Sequence, residues 1–265
     1  MAHCPSDKQL EWPSISVVMP VLNSVSTVEV ALESVFQQNA SNLDIVIIDG
    51  GSTDGTLDVI AQYSNNIDAI EVGKDSCLSD ALNRGLKLAT GDFVAILNAD
   101  DHWMKGTIQS IRKSIEADPG KEVYCGKVRI IDPSTGLSYT LAPKLAKMKK
   151  RMSIFHSSMF ISKNAYDRIG GYSVDYHLAM DSEWCHRAIC ADLRFGLVDD
   201  VLASMRLEGI SDIHFLKSLL EYRKSAIQHK IATRMEASFY FLQHLIVKLI
   251  FRNRVLRSIK QRLSS

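Results

Sequence analysis

The first hundred residues alternate between two hydrophobic rhythms. Ile15-Ser16-Val17-Val18-Met19 is a short, apolar, β-branched run closed by Pro20, which predicts a buried strand. Val28, Ala31, Leu32, Val35 and Phe36 then recur at helical spacing behind Ser26 and Thr27, either of which can cap the helix. A second apolar run at 44–48 ends in Asp49-Gly50-Gly51-Ser52-Thr53-Asp54-Gly55, a turn followed by a helix through Leu57 and Ile60. Residues 70–72 predict a short third strand and 79–89 a helix. Residues 93–97 predict a fourth strand, ending in Asn98-Ala99-Asp100-Asp101.

Strand and helix in this alternation predict an α/β architecture, a parallel sheet covered on both faces with right-handed connections. Ligands of such sheets sit beyond the carboxyl ends of the strands. Those ends are 20–23, 49–54 and 98–101, and two of the three carry acids. After about residue 120 the rhythm changes. Residues 123–131 predict a strand, Asp132-Pro133-Ser134-Thr135-Gly136 a turn, and Met159-Phe160-Ile161 another apolar run behind a Lys-rich stretch. Gly170-Gly171 breaks the chain, and residues 181–191 predict a helix.

Composition narrows the class. At 265 residues, 46% apolar and 23% charged, the chain is a globular protein. A formal charge of +1 gives no case for nucleic acid as a partner. The charge is uneven, however. Residues 223–265 hold ten Lys/Arg and one acid, Glu236, which leaves residues 1–222 with 21 basic and 29 acidic residues, a balance of −8. A basic tail on an acidic body suggests an anionic partner for the tail. The five cysteines, Cys4, Cys77, Cys125, Cys185 and Cys190, form no CxxC pair and have no zinc spacing, which predicts reduced thiols. Residues 1–13 are polar and hold no signal core, and no stretch has the roughly 20 clean apolar residues of a membrane span, so a cytoplasmic location is expected.

The chemistry-bearing residues each have a structural reading beside a functional one. Asp100, just past a buried strand, can ligate Mg²⁺ or Mn²⁺, whereas Asp101 can simply cap the following helix. Asp49 can accept a bond from a base or ribose hydroxyl, or can open the Gly50-Gly51 loop as an Asx turn. The glycines match neither GxxxxGK[ST] nor GxGxxG.

Several motifs occur in order: Pro20-Val21-Leu22-Asn23, Ile48-Asp49-Gly50-Gly51-Ser52-Thr53-Asp54-Gly55-Thr56, Asp80-Ala81-Leu82-Asn83-Arg84-Gly85, Ala89-Thr90-Gly91-Asp92 and Asn98-Ala99-Asp100-Asp101. His156-Ser157-Ser158-Met159-Phe160, Ile169-Gly170-Gly171-Tyr172, Ala179-Met180-Asp181-Ser182-Glu183 and Glu208-Gly209-Ile210-Ser211 follow. Over about residues 15–215 the chain resembles the family 2 glycosyltransferases of bacteria. The likeness is to those that build O-antigens, capsules and colanic-acid-type exopolysaccharides. The resemblance implies a GT-A fold, a Rossmann-like, mixed but mainly parallel sheet flanked by helices. Together with the patterns on either side of that span, the chain is expected to divide into a polar segment at 1–13, a catalytic domain at 14–220 and a basic amphipathic helical tail at 221–265. The catalytic domain splits into a nucleotide-sugar half, 14–118, and an acceptor half, 119–220.

The resemblance also implies roles. Pro20, Val21, Leu22, Asn23 and Asp49 should hold base and ribose, and Asp80 and Arg84 should lie near the donor diphosphate and sugar. Asn98, Ala99 and Asp100 take the place of the family's DXD motif, with Asp100 the ligand of Mn²⁺ or Mg²⁺. Asp181 should be the catalytic base, with Glu183 next in line. His156, Glu183 and Asp101 are candidates for diphosphate or acceptor contacts. The implied reaction is inverting transfer of a sugar from a nucleotide diphosphate donor, UDP preferred, to a saccharide or lipid-diphosphate-linked acceptor. The pattern departs from many relatives in three places. Asp75-Ser76-Cys77 stands for Asp-Lys-Gly, and Gly50 and Asn98 each stand for Asp.

In the tail, Leu242, Leu245, Ile246, Leu249, Ile250, Leu256, Ile259 and Leu263 fall among Lys248, Arg252, Arg254, Arg257, Lys260 and Arg262. A cationic amphipathic helix over 238–263 predicts peripheral contact with an anionic membrane, here the inner face of the bacterial cytoplasmic membrane. The alternative is packing on the catalytic domain or on a second copy in a homo-oligomer. Two other functions are weighed against transfer. A nucleotidyltransferase would need a Gly-rich, basic loop after the first strand, which Pro20-Val21-Leu22-Asn23-Ser24 is not. A non-catalytic sugar- or lipid-binding partner would have no need of Asp100 and Asp181.

Overall fold

The structure is a computed structural model that describes residues 12–207, 209 and 213–250. The segment 1–11, most of Glu208-Gly209-Ile210-Ser211, Cys4 and the tail beyond 250 lie outside the described residues.

A nine-stranded sheet forms the centre, in the order β3-β2-β1-β4-β8-β6-β9-β5, with β7 paired to β6. Its first half is parallel: β1 (Ile15–Val21), β2 (Leu43–Asp49), β3 (Ala69–Val72) and β4 (Phe93–Ile96) run together. Its second half is mixed. β8 (Met159–Ser162) is antiparallel to β4 and to β6 (Val123–Ile131), which pairs parallel with β9 (Phe195–Arg206). β5 (His102–Trp103) and β7 (Ser138–Leu141) are short antiparallel additions to β9 and β6.

Helices cover both faces, as unbroken apolar strands require. α1 (Val28–Phe36) and α4 (Thr107–Ala117) lie on one side with the core around Val17, Met19, Ile47 and Phe160. α2 (Thr56–Ala61) also lies on this side. α3 (Leu78–Leu88), α5 (Lys163–Ile169) and α6 (Met180–Cys190) lie on the other, around Val18, Ile48, Ile161 and Trp184.

The strand expected to stop at Pro20 runs on to Val21. Val18 accepts the Leu97 N–H, so alternate residues of β1 face β4, and Pro20 faces that side too. The β1–β4 pairing ends at Val18 and Ile96, so the missing N–H of Pro20 has no partner to lose.

After β9 the chain forms a helical hairpin, α7 (Phe215–Gln228) and α8 (Arg234–Ile250). α7 spans the expected 220/221 boundary and packs on α6. Among the described residues, no helix is long and apolar enough to cross a membrane, and Cys77, Cys125, Cys185 and Cys190 are free thiols.

Candidate functional site

The carboxyl ends of the parallel strands carry two interlocked loops. Asn23 donates its backbone N–H to Ser52 Oγ (2.9 Å), and its side-chain oxygen accepts from the Thr53 N–H (2.9 Å). Ser24 and Val25 bond to Thr56 Oγ1 and Asp54 Oδ2. The expected nucleotide loop therefore takes its shape from the next one. Pro20 and Val21 are buried, while Leu22 is 58% exposed at its rim.

Asp49 works for this loop. Its Oδ1 accepts the N–H groups of Gly51 and Ser52, both at 2.8 Å, and its Oδ2 accepts the Ser52 hydroxyl at 2.6 Å. The side chain is fully buried. The Asx-turn reading is thus what the geometry displays.

Gly50 and Asp75 explain each other. A Cβ at position 50 would sit 2.8 Å from Asp75 Oδ2, so the carboxylate of Asp75 occupies the space over the glycine. Arg84 bonds Asp75, Glu71 (2.8 Å) and the Gly73 carbonyl (3.1 Å). Burial pushes the Asp75 carboxyl up against the pull of Arg84, and the charges of Asp80 and Asp49 add to the rise. Arg84, expected near the donor diphosphate and sugar, is a guanidinium engaged by two carboxylates. Asp80, in the first turn of α3, accepts the Ser76 N–H and hydroxyl, both at 3.1 Å, which lowers its pKa. Asn83 binds both backbone groups of Tyr172, at 2.8 and 2.7 Å. A Cβ at Gly171 would lie 2.3 Å from the Asn83 oxygen, so the Gly170-Gly171 motif permits the close approach of α3. A cleft of about 770 Å³ touches Asp80, Asn83, Lys87, Lys163, Tyr172 and Arg187. Asp100, His156 and Asp181 do not line it.

The acid turn after β4 is held from the other half of the chain. Asn98 Nδ2 lies 2.8 Å from His156 Nε2. Asp101 accepts the hydroxyl of Ser157, whose carbonyl takes the Trp103 indole N–H at 3.1 Å. Burial first, then the charge of Asp100, pushes the Asp101 carboxyl up to about 6. Asp101 is 4% exposed and Ala99 equally so. The helix cap expected at Asp101 is absent, because α4 starts at Thr107 behind Gly106 in the left-handed region (φ 83°). Asp101 anchors the turn from within the protein. Asp100 is exposed.

His156 joins this turn to α6. Its Nδ1 is 3.7 Å from Asp181 Oδ2. Burial pulls its pKa down, but the hydrogen bond and charge of Asp181, with Asp101 and Asp100, outweigh burial and raise it. With Nε2 against the Asn98 amide, Nδ1 faces Asp181. Asp181 lies in the first turn of α6, where the helix dipole favours a carboxylate, and its Oδ1 accepts the Ser182 N–H at 2.6 Å.

Glu183, second choice as base, is 2% exposed and saturated. Arg187 donates to it at 2.8 and 3.0 Å, and His229 Nε2 lies 3.0 Å away. Its carboxylate is therefore engaged on both oxygens, whereas that of Asp181 is partly exposed.

The hairpin after β9 supplies residues that sequence patterning did not single out. Glu221 Oε2, on α7, accepts the backbone N–H groups of His177, Leu178 and Ala179 at 3.0, 2.7 and 3.0 Å. These donors lead into α6, so α7 caps the helix that carries Asp181. Ser225 holds His186, and Gln228 holds Tyr176. An acid on an otherwise basic segment was the only sequence signal for Glu221.

Metal ligation is sparse. Among the described residues no group of three or more His, Cys, Asp or Glu could hold an ion. One exposed carboxylate, Asp100, fits Mg²⁺ or Mn²⁺ only where phosphate oxygens and water complete the set, as both ions accept.

Comparison with known proteins agrees with this geometry. The family model described as "Glycosyl transferase family 2" matches residues 16–173. The PGL/p-HBAD biosynthesis glycosyltransferase of Mycobacterium tuberculosis is 30% identical over 174 residues, 64% of this chain and 67% of that protein. Glycosyltransferase AglE of Haloferax volcanii is 22% identical over 82% of this chain and 74% of its own length. In fold, the chain is similar to S. aureus TarS 1–349 in complex with UDP-GlcNAc, with a TM-score of 0.65, 16% identity and coverage of 88% and 71%. It is also similar to the mannosyltransferase PcManGT of Pyrobaculum calidifontis in complex with GDP-Man and Mn²⁺, with a TM-score of 0.66, 19% identity and coverage of 88% and 70%. With its GT-A architecture, an acid turn after β4 and a carboxylate at the start of α6, this chain belongs to glycosyl transferase family 2 and is a glycosyltransferase.

Proposed function

We propose that the chain is an inverting transferase that moves a sugar from a UDP-sugar to a hydroxyl of a saccharide, free or carried on a lipid diphosphate. The observation that carries this reading is His156, which stands between Asn98 of the acid turn and Asp181 of α6. One imidazole thus ties the expected diphosphate end of the donor to the expected base.

Asp181 Oδ accepts the proton of the acceptor hydroxyl as that oxygen attacks the anomeric carbon. The bond from the anomeric carbon to the diphosphate oxygen breaks, and its electron pair leaves with the nucleoside diphosphate. Attack opposite the leaving group inverts the centre, so no protein nucleophile is required. His156 Nδ1, facing Asp181, orients the carboxylate. Asn98 and Asp100 present the turn to the diphosphate, and Leu22 offers an apolar rim to the base. Mn²⁺ or Mg²⁺, held by Asp100 together with the donor, would neutralise charge on the leaving diphosphate. The metal and nucleotide in the PcManGT complex and the nucleotide sugar in the TarS complex support this class of donor.

A screen of nucleotide sugars for metal-dependent thermal stabilisation tests the donor. A UDP-sugar should stabilise only with Mn²⁺ or Mg²⁺ present. Equal stabilisation by all nucleotides without metal would count against the reading.

A further inference from the structure

Exposed apolar side chains on α8 are not scattered. Met235 (84% exposed), Phe239, Leu242, Ile246 and Leu249 follow one another at intervals of four, three, four and three residues. At 100° per residue these five fall within one narrow face, about 21 Å long. The opposite side of the helix is occupied: Ala237 is buried against α7 in a small core with Ala226 and Ala232. The hairpin therefore already has the partner it needs for folding, and the stripe is left over.

The charge around the stripe selects its occupant. The single acid of α8, Glu236, is paired to Lys149 at 2.7 Å and accepts from Thr233. Lys150 lies 5.6 Å from the Tyr240 ring centroid, and Arg234 lies at the start of the helix itself. Residues 251–265 add five further basic residues and no acid. A second copy would bring the same cations face to face with these, and like charges at an interface oppose association. An anionic bilayer satisfies both features: its acyl boundary takes the apolar stripe and its headgroups take the cations.

We infer that α8 docks on the surface of an anionic lipid bilayer through Met235, Phe239, Leu242, Ile246 and Leu249, lying in the plane of the membrane. α7 packs on both α8 and α6, so docking holds the helix of Asp181 close to the bilayer.

The test is co-sedimentation of the full chain with vesicles of phosphatidylglycerol and phosphatidylcholine in equal parts, and with phosphatidylcholine alone. The wild type should pellet with the anionic vesicles, and release as salt is raised. The double variant Leu242→Glu/Ile246→Glu should bind at least about tenfold more weakly, because both side chains must leave the acyl boundary. Both positions are exposed, so its melting temperature should match the wild type. Equal binding of variant and wild type overturns the proposal, as does absence of wild-type binding to anionic vesicles. So does a wild-type dimer in light scattering that the variant converts to monomer without any vesicle binding. Vesicle binding is read without donor or acceptor, so its failure is distinct from failure of the transfer reading.

Discussion

His156 Nδ1 stands 3.7 Å from Asp181 Oδ2, while its Nε2 stands 2.8 Å from the Asn98 amide. The imidazole is a strut between two halves of the site. His156→Ala should lower kcat about tenfold or more while donor affinity changes little, since Asp181 loses its orienting partner. His156→Gln should restore part of the rate. Steady-state kinetics with a donor titration checks this.

Glu221 is a remote support of the same carboxylate. Glu221→Gln keeps one acceptor oxygen but loses the charge that strengthens three N–H bonds into α6. The expected result is a loss of about 1–3 kcal/mol in stability and a fall in kcat with unchanged donor affinity. Urea unfolding and kinetics on the same preparation separate the two effects.

Gly50→Asp tests the exchange of carboxylates in the sugar pocket. The new side chain meets Asp75, whose end can swing only by leaving Arg84. The single variant should destabilise the fold and weaken donor binding. Adding Asp75→Ser should recover much of both, a coupling that a double-mutant cycle measures.

Two buried groups give opposite pH dependence. Burial holds His186 down to about 4, so the unfolded chain takes up its proton first and stability falls as pH drops from about 6.5 toward 4. Asp101, raised to about 6, does the reverse: the folded state binds its proton first, and stability rises as pH drops from about 6 toward 4. Each is worth about 1–2 kcal/mol between pH 7 and pH 5. Asp101→Asn should therefore steepen the loss of stability on acidification, and His186→Gln should reduce it. Urea titrations of metal-free protein at the two pH values decide.

The parallel half of the fold was legible because β1, β2 and β4 are buried on both faces and read as continuous apolar runs. The acid turn and Asp181 were legible as motifs. What those motifs do was less so. Asp49 is bound locally, by Ser52 three residues on, as the Asx-turn reading allows, whereas Asp101, Glu183 and Arg84 are engaged by Ser157, His229 and Asp75, which the folded chain brings near. Glu221 was hidden for the same reason, since its partners lie 42–44 residues away. Long-range polar pairing leaves no periodicity behind.

Asp181→Asn tests the central claim most directly. The substitution keeps size and the bond from the Ser182 N–H but removes the base. Transfer from the stabilising nucleotide sugar should fall by about 10²–10⁴ in kcat. Metal-dependent donor binding should stay near the wild-type value, and the wild-type product should carry the inverted anomeric configuration. Wild-type transfer rates in Asp181→Asn, or a retained anomer, would contradict it.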